Sequence, residues 1–408
     1  MRPKISSPFI LATCTLALTI GAATSAFAQN ESVLYTFRGG TNAALSFAGL
    51  VRDPAGNLYG TTLWGGTHND GAVFKFDRHG KETVIYSFAG GADGIAPQAS
   101  LIRDDAGNLY GTTKRGGPAD AGIVFRIDPS GAETILHTFT GGADGGTPMA
   151  SLIRDKAGNL YGTTIGDGDT SNSLCTNDFS GCGTLFKLSP AGKETVLHTF
   201  SAGTDGRNPQ GGLIADSAGN LYGTTLGGGA YGSGTVFKID RARTETVLYS
   251  FQYGTSGGSD GGLPSGNLVR DAAGNLYGTT QVGGGPDACF GVGCGTVFKV
   301  DLTGNETVVH AFTDGDGADP VTGVIRDAAG NLYGTTYEGG PGGLSGFGTV
   351  FKVDSTGRET LLYQFTGGLD GAYPYGSLLM DPSGNLFGTT STGGPLDVEA
   401  GVIYRIAP

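Results

Sequence analysis

The segment Gly-Asn-Leu-[Tyr/Phe]-Gly-Thr-Thr occurs seven times, with its asparagines at Asn57, Asn108, Asn159, Asn220, Asn275, Asn331 and Asn385. The intervals are 51, 51, 61, 55, 56 and 54 residues. A unit repeated at such a period cannot bury an apolar face alone and must pack on its own copies. Each period holds four runs rich in Val, Ile, Leu, Tyr and Phe, separated by Gly, Asp, Asn and Pro. This is the pattern of short strands joined by tight turns. In the second copy the runs are Ala99–Asp104, Asn108–Thr113, Gly122–Asp128 and Glu133–Phe139, called a, b, c and d from the inside outward. The runs are not cleanly amphipathic, as expected where both faces of a sheet are covered. Four strands at this period predict one blade of an all-β propeller.

The chain ends set the blade count. The seventh copy has runs near Gly376–Asp381, Asn385–Thr390 and Gly401–Ile406, and then lacks its fourth. The missing run stands at the other end, where Glu31-Ser32-Val33-Leu34-Tyr35-Thr36-Phe37 matches the d pattern Glu-Thr-Val-Leu-Tyr-Ser-Phe. Pairing the two ends removes exposed strand edges and closes a ring. The expectation is one seven-bladed propeller over residues 29–408. Its blades lie near 48–88, 99–139, 150–200, 211–251, 266–312, 322–365 and 376–406 plus 31–37.

The recurrent Gly-Asn-Leu-Tyr-Gly-Thr-Thr, Gly-Thr-Val-Phe-Lys-[Ile/Val]-Asp and Glu-Thr-Val-Leu-Tyr-Ser-Phe segments resemble the GloVer tandem-repeat family of bacterial secreted proteins. The resemblance spans essentially the whole chain after residue 28. It implies export and a repeated β architecture, and it brings no catalytic residues.

Residues 1–28 read as a secretory signal. Arg2 and Lys4 precede an apolar run from Pro8 to Ile20, and Ala26-Phe27-Ala28 gives a small-x-small cleavage pattern. The expected location is extracellular, with the periplasm as the alternative. The apolar run is too short for a membrane anchor. Without Arg2 and Lys4 the chain carries 23 basic and 37 acidic residues, a net charge of 23 − 37 = −14. That balance argues against nucleic acid and against an anionic membrane surface as partners. A monomer is expected.

The a–b and c–d connections are uniform Asp-x-x-Gly turns that share one rim. The seven turn aspartates, among them Asp53, Asp104 and Asp327, read as structural acceptors. The opposite rim varies. Between strands b and c the loops hold 8, 8, 18, 8, 14, 11 and 10 residues in blades one to seven. Recognition is expected on variable loops held by a rigid frame. The two longest loops contain Cys175 and Cys182, and Cys289 and Cys294. An even count in an exported chain reads as two disulfides, paired locally because blades three and five are not neighbours.

The d-to-a loops share Asp-Gly-x-x-Pro, with Asp93, Asp144, Asp205, Asp260, Asp316 and Asp370. These are expected to form turns; a ring of carboxylates around the central opening is the competing reading. Two acidic stretches, Asp167-Gly168-Asp169 with Asn172 and Asp314-Gly315-Asp316 with Asp319, are candidates for calcium. No other cofactor and no other metal site is indicated. Recurring strand-c cations such as Lys75 and Lys187 are expected to pair with strand-d glutamates, and Arg52, Arg103, Arg154, Arg270 and Arg326 to ion-pair beside the turns.

No nucleophile elbow and no catalytic histidine pattern occurs. The chain therefore reads as a secreted, non-catalytic binding or scaffolding propeller for a glycan or another extracellular protein. The alternative is a secreted carbohydrate-active enzyme, hydrolase or lyase, using carboxylates and tyrosines of the variable face. Blade four's short loop leaves a gap between taller neighbours. The expected ligand-binding residues there are Phe179, Tyr231, Phe290, Asp205 and Asp260; no catalytic residue is assigned.

Overall fold

A computed structural model describes residues 31–175, 180–253, 260–285, 289–395 and 400–408. The expected signal segment, residues 1–28, lies outside the described residues. The chain forms seven antiparallel sheets whose strands run in the order a, b, c, d. In the first blade these are Val51–Arg52, Leu58–Thr62, Ala72–Phe76 and Glu82–Ser87. In the seventh blade Leu379–Met380, Leu386–Thr392 and Val402–Ile406 supply a, b and c. Glu31–Thr36 completes it, with Glu31 opposite Ile406 and Thr36 opposite Val402. The chain is a seven-bladed β-propeller closed by its N-terminal strand, as the repeat arithmetic requires.

One aromatic contact recurs at every blade junction. The phenylalanine that follows strand d packs edge-on against the strand-c aromatic of the next blade. Phe88 meets Phe125 at 5.1 Å between ring centroids, and Phe200 meets Phe237 at 5.2 Å. Phe37 meets Phe74 at 5.2 Å, so the N-terminal segment joins the seventh blade to the first in the same way. These rings are fully buried. Together they form an apolar belt around the molecule.

The belt explains the repeated Gly-Thr-Thr. A Cβ on Gly60 would come within 2.7 Å of Phe74, and one on Gly334 within 2.5 Å of Phe351. No side chain fits beneath the ring. In blades one, two, five and seven the first threonine reaches inward to the next blade: Thr61 Oγ1 donates to the Ala99 carbonyl (3.0 Å) and Thr112 to that of Pro148 (3.3 Å). Thr389 donates to Ala48 (3.0 Å), bridging 341 positions to tie the seventh blade to the first.

The innermost strands are shorter than the sequence predicts. Strand a of blade two is only Ile102–Arg103, not Ala99–Asp104. Near the axis the inner segments crowd together. Carbonyls there accept from the preceding blade's threonines and leave the ladder of their own sheet.

Candidate functional site

The turn rim is a scaffold. Asp53 accepts the Asn57 main-chain amide (2.9 Å), the Asn57 side chain (2.7 Å) and the Tyr59 hydroxyl (3.0 Å). The same three bonds recur on Asp104, Asp155, Asp216, Asp271 and Asp327. Burial opposes ionisation, but these donors outweigh it and hold each carboxyl below its ordinary range.

The cations of this rim behave differently from the ion pairs expected. Lys75 and Lys187 lie over the strand-b rings of Tyr59 and Tyr161, at 5.9 and 5.6 Å. Arg154, Arg270 and Arg326 lie over Tyr110, Tyr222 and Tyr277 of the preceding blade, at 5.8 to 5.9 Å. Among the described residues, the one Lys or Arg with a carboxylate oxygen within 4.0 Å is Arg115, on Asp120. Strand b presents a tyrosine to each of these cations, and cation–π contact replaces the ion pair.

The glutamates that open strand d go elsewhere. The Asp-Gly-x-x-Pro aspartates flank the outermost strands and do not ring the central opening. Asp205 accepts the main-chain amide of Ser201 (2.9 Å) and faces His198 Nε2 (3.0 Å). Asp260 accepts the Gln252 amide (3.0 Å) and the Tyr249 hydroxyl (2.5 Å). Both are tied to their own junction, and Asp260 keeps one buried oxygen, Oδ1, without a hydrogen-bond partner. The strand-d glutamate of the next blade completes each cluster, and Glu245 stands beside Asp205. Ligand atoms of His198, Asp205 and Glu245 lie within 4.8 Å of one another. Tyrosine replaces the histidine in equivalent clusters, as in Tyr363 with Asp370, so this is a repeated junction. The calcium candidates are engaged locally too: Asp169 accepts from Ser171, and Asp316 from Thr313 while facing His310 at 3.2 Å.

On the variable face both disulfides form as the spacing predicts, Cys175–Cys182 and Cys289–Cys294. Each braces a loop end that the next blade grips. Asn208 donates its main-chain amide to the Cys182 carbonyl (2.8 Å), and Asp319 does so to Cys294 (3.0 Å). Tyr231 is 57% exposed in the floor loop. Phe179 and the side chain of Phe290 lie outside the described residues.

The aromatic concentration on this face lies instead over blades six, seven and one. Tyr337 stacks on Tyr373 at 5.0 Å and meets Tyr375 edge-on at 5.9 Å. Tyr375 contacts Phe47 at 5.0 Å, and Phe347 meets Tyr373 at 5.8 Å. Gln210 of blade four approaches Tyr375 across the axis. Phe47, Tyr375 and Gln210 thereby line a narrow central cavity of about 70 Å³. Two carboxyls stand at this cluster. Burial first, and Glu338 second, push Asp319 up to about 6, and its Oδ1 is buried without a hydrogen-bond partner.

Asp319 and Tyr373 share a slot that sequence reasoning missed. The residue two places after the Gly of Asp-Gly-x-x-Pro is left-handed in every blade: Leu45, Ala96, Thr147, Asn208, Leu263, Asp319 and Tyr373, with φ from 54° to 58°. Its amide reaches the preceding blade's b–c loop, as from Tyr373 to Phe347 (2.8 Å). The backbone is fixed while the side chain varies, and only the repeat alignment of that one column could have flagged it.

A larger cavity is on the other rim. It measures about 820 Å³ and lies between blades three and four, lined by Arg154, Lys187, Arg241, Arg243, Tyr161 and Ala215 among others.

A family model described as Gloeobacter/Verrucomicrobia repeat matches residues 22–176 and 291–408. No curated protein matches the chain. Among solved structures, the extracellular domain of a protein described as a one component system from B. thetaiotaomicron is similar, at 10% identity and TM-score 0.56. The match covers 92% of this chain and 40% of that one. A Bacteroides uniformis protein described as a 6-phosphogluconolactonase is similar at 16% identity and TM-score 0.50, over 82% of this chain and 88% of that one. At such identities the likeness concerns the fold, which hosts unrelated functions. Among the described residues no helix is long and apolar enough to cross a membrane.

Proposed function

The chain belongs to the Gloeobacter/Verrucomicrobia repeat family, and from that premise we propose that it is an exported, non-catalytic binding propeller whose ligand is a glycan. One observation carries the reading. Tyr337, Tyr373, Tyr375, Phe47 and Phe347 are clustered and only partly buried, beside the carboxyls of Asp319 and Glu338. Aromatic faces stack on the C–H faces of sugar rings, and carboxyls accept sugar hydroxyls. A mostly apolar site with a few convergent polar groups is the usual form of a small-ligand site. The two disulfides of the same face fit an oxidising, extracellular setting. This reading moves the site from the gap at blade four to blades six, seven and one.

Asp319 favours a second reading, a carbohydrate-active enzyme. A carboxyl held up to about 6 beside a second carboxyl suits a general acid. The elevated strand-d glutamates do not add to this reading, because they repeat at every junction.

A glycan array on the exported protein, with product release assayed on each hit, separates the readings. Binding without product is expected. Substituting Tyr337 and Tyr373 with alanine should weaken binding at least about tenfold, the scale of one lost aromatic contact at a binding hot spot, with the melting temperature unchanged. Full binding by that double variant would reject the site. Product release lost in Asp319→Asn, with binding kept, would establish the enzyme.

A further inference from the structure

From the cavity between blades three and four we infer a second binding site, on the turn rim, for an acidic oligosaccharide bearing carboxylate or sulfate groups. Three departures from the repeat converge on it, joined by Arg241. At the last residue of strand a, five blades carry arginine, but blade four has Ala215. Tyr161 therefore lacks the guanidinium that Tyr110, Tyr222 and Tyr277 receive from the following blade. One side of its ring is left to the cavity, with Lys187 at 5.6 Å. At the turn glycine of the c–d connection, where five blades have glycine, blade four has Arg243. Arg243 keeps the glycine's left-handed backbone, at φ 67°. That conformation disfavours a long side chain, and nothing in the turn's hydrogen bonding requires an arginine.

The third departure and a neighbouring arginine add charge. Lys156 is the one cation at its position in the seven a–b turns, where the other copies have Pro, Asp, Ser or Ala. Arg241 swings onto Gly219, where a Cβ would meet its Nε at 2.7 Å, in the place that strand-a arginines take over their own turn glycines. Arg154, Lys156, Lys187, Arg241 and Arg243 thus line one cavity, and none has a carboxylate oxygen within 4.0 Å among the described residues. The carboxylates in the lining, Asp155, Asp216 and Asp240, are turned onto main-chain amides of their own turns.

A concentration of cations on a chain of net charge −12 calls for an anionic ligand. The rest of the lining selects its kind. Tyr161, Leu197, Leu221 and Ile153 give an apolar floor for the C–H face of a sugar, and a volume of about 820 Å³ suits an oligosaccharide. A small inorganic anion would leave that floor uncovered.

The test titrates the exported protein with dextran sulfate oligosaccharide, oligogalacturonate and unsulfated dextran by calorimetry, at low and high salt. At least one acidic chain should bind, unsulfated dextran should not, and affinity should fall about tenfold or more at high salt. Ala215→Arg restores the repeat and fills the cavity, and should weaken binding about tenfold or more. Arg243→Gly restores the turn glycine, and should weaken binding several-fold while the protein melts no lower. The Tyr337 and Tyr373 alanine variant should bind the acidic chain as the parent does, which separates this site from the glycan site of the other face. No binding by either acidic chain, equal binding of unsulfated dextran, or undiminished binding by Arg243→Gly would each overturn the inference. So would loss of acidic-chain binding in the Tyr337 and Tyr373 variant.

Discussion

Tyr404 stands where the other six blades carry phenylalanine, and its buried hydroxyl has no hydrogen-bond partner. Its ring does the work of the belt, packing on Phe365 at 5.0 Å. A buried hydroxyl without a partner costs about 1–3 kcal/mol. Tyr404→Phe is therefore expected to stabilise the protein by about 1 kcal/mol, read as a higher urea midpoint at unchanged slope. A lower midpoint would mean that the hydroxyl is satisfied. The position was legible in the sequence as a departure from a column. Its consequence was not, because only packing shows whether an oxygen reaches a partner.

At the scale of elements, the N-terminal strand matters most. Glu31–Thr36 supplies the outer strand of blade seven, and Phe37 is fully buried against blade one. Losing Phe37 alone is a large-to-small core change of about 3–5 kcal/mol. Deleting residues 31–37 also bares the edge of Val402–Ile406 and opens the ring. The shortened protein is expected to melt well below the parent and to aggregate, as seen by calorimetry and light scattering. Equal melting of the two would refute closure by this strand. The element was readable because a d pattern was missing at one end and surplus at the other. The length of strand a was not readable: its residues look like any strand, and crowding at the axis is a property of the closed ring.

Across the whole molecule, the strand-d glutamates form a second ring that titrates. Burial first, and the neighbouring junction aspartate second, push Glu31, Glu133, Glu306 and Glu359 from 4.5 up to about 7, and Glu245 likewise beside Asp205. A folded value above the unfolded one favours the protonated carboxyl in the native state. That stabilisation is fully present below about pH 4.5 and is lost as pH rises through about 7. The turn aspartates have the opposite sign: their folded values are lowered, so their contribution is lost as pH falls. Stability should therefore peak in mildly acidic solution, with a melting temperature higher at pH 5.5 than at pH 8. Replacing Glu245 and Glu306 with glutamine should flatten the alkaline side of that profile. A parent that melts higher at pH 8 would contradict the ring of protonated carboxyls.

The sequence alone determined the blade number, the strand order, the closure and the two disulfides, because each follows from counting repeated units and cysteines along the chain. The tertiary structure decided where side chains meet across blades. Asp205 and Asp260 look like available acceptors in a loop, yet they close on His198 and Tyr249 of the outer strands. Lys75 looks like a partner for a glutamate, yet it lies over Tyr59. Tyr337, Tyr375 and Phe47 are separated widely along the chain, and they gather because the ring brings blade seven between blades six and one. Lys156, Ala215 and Arg243 read as scattered exceptions until two neighbouring blades place them around one cavity. A repeat fixes local structure through short-range chemistry, whereas a site on a propeller is built between blades, from residues that no short-range rule connects.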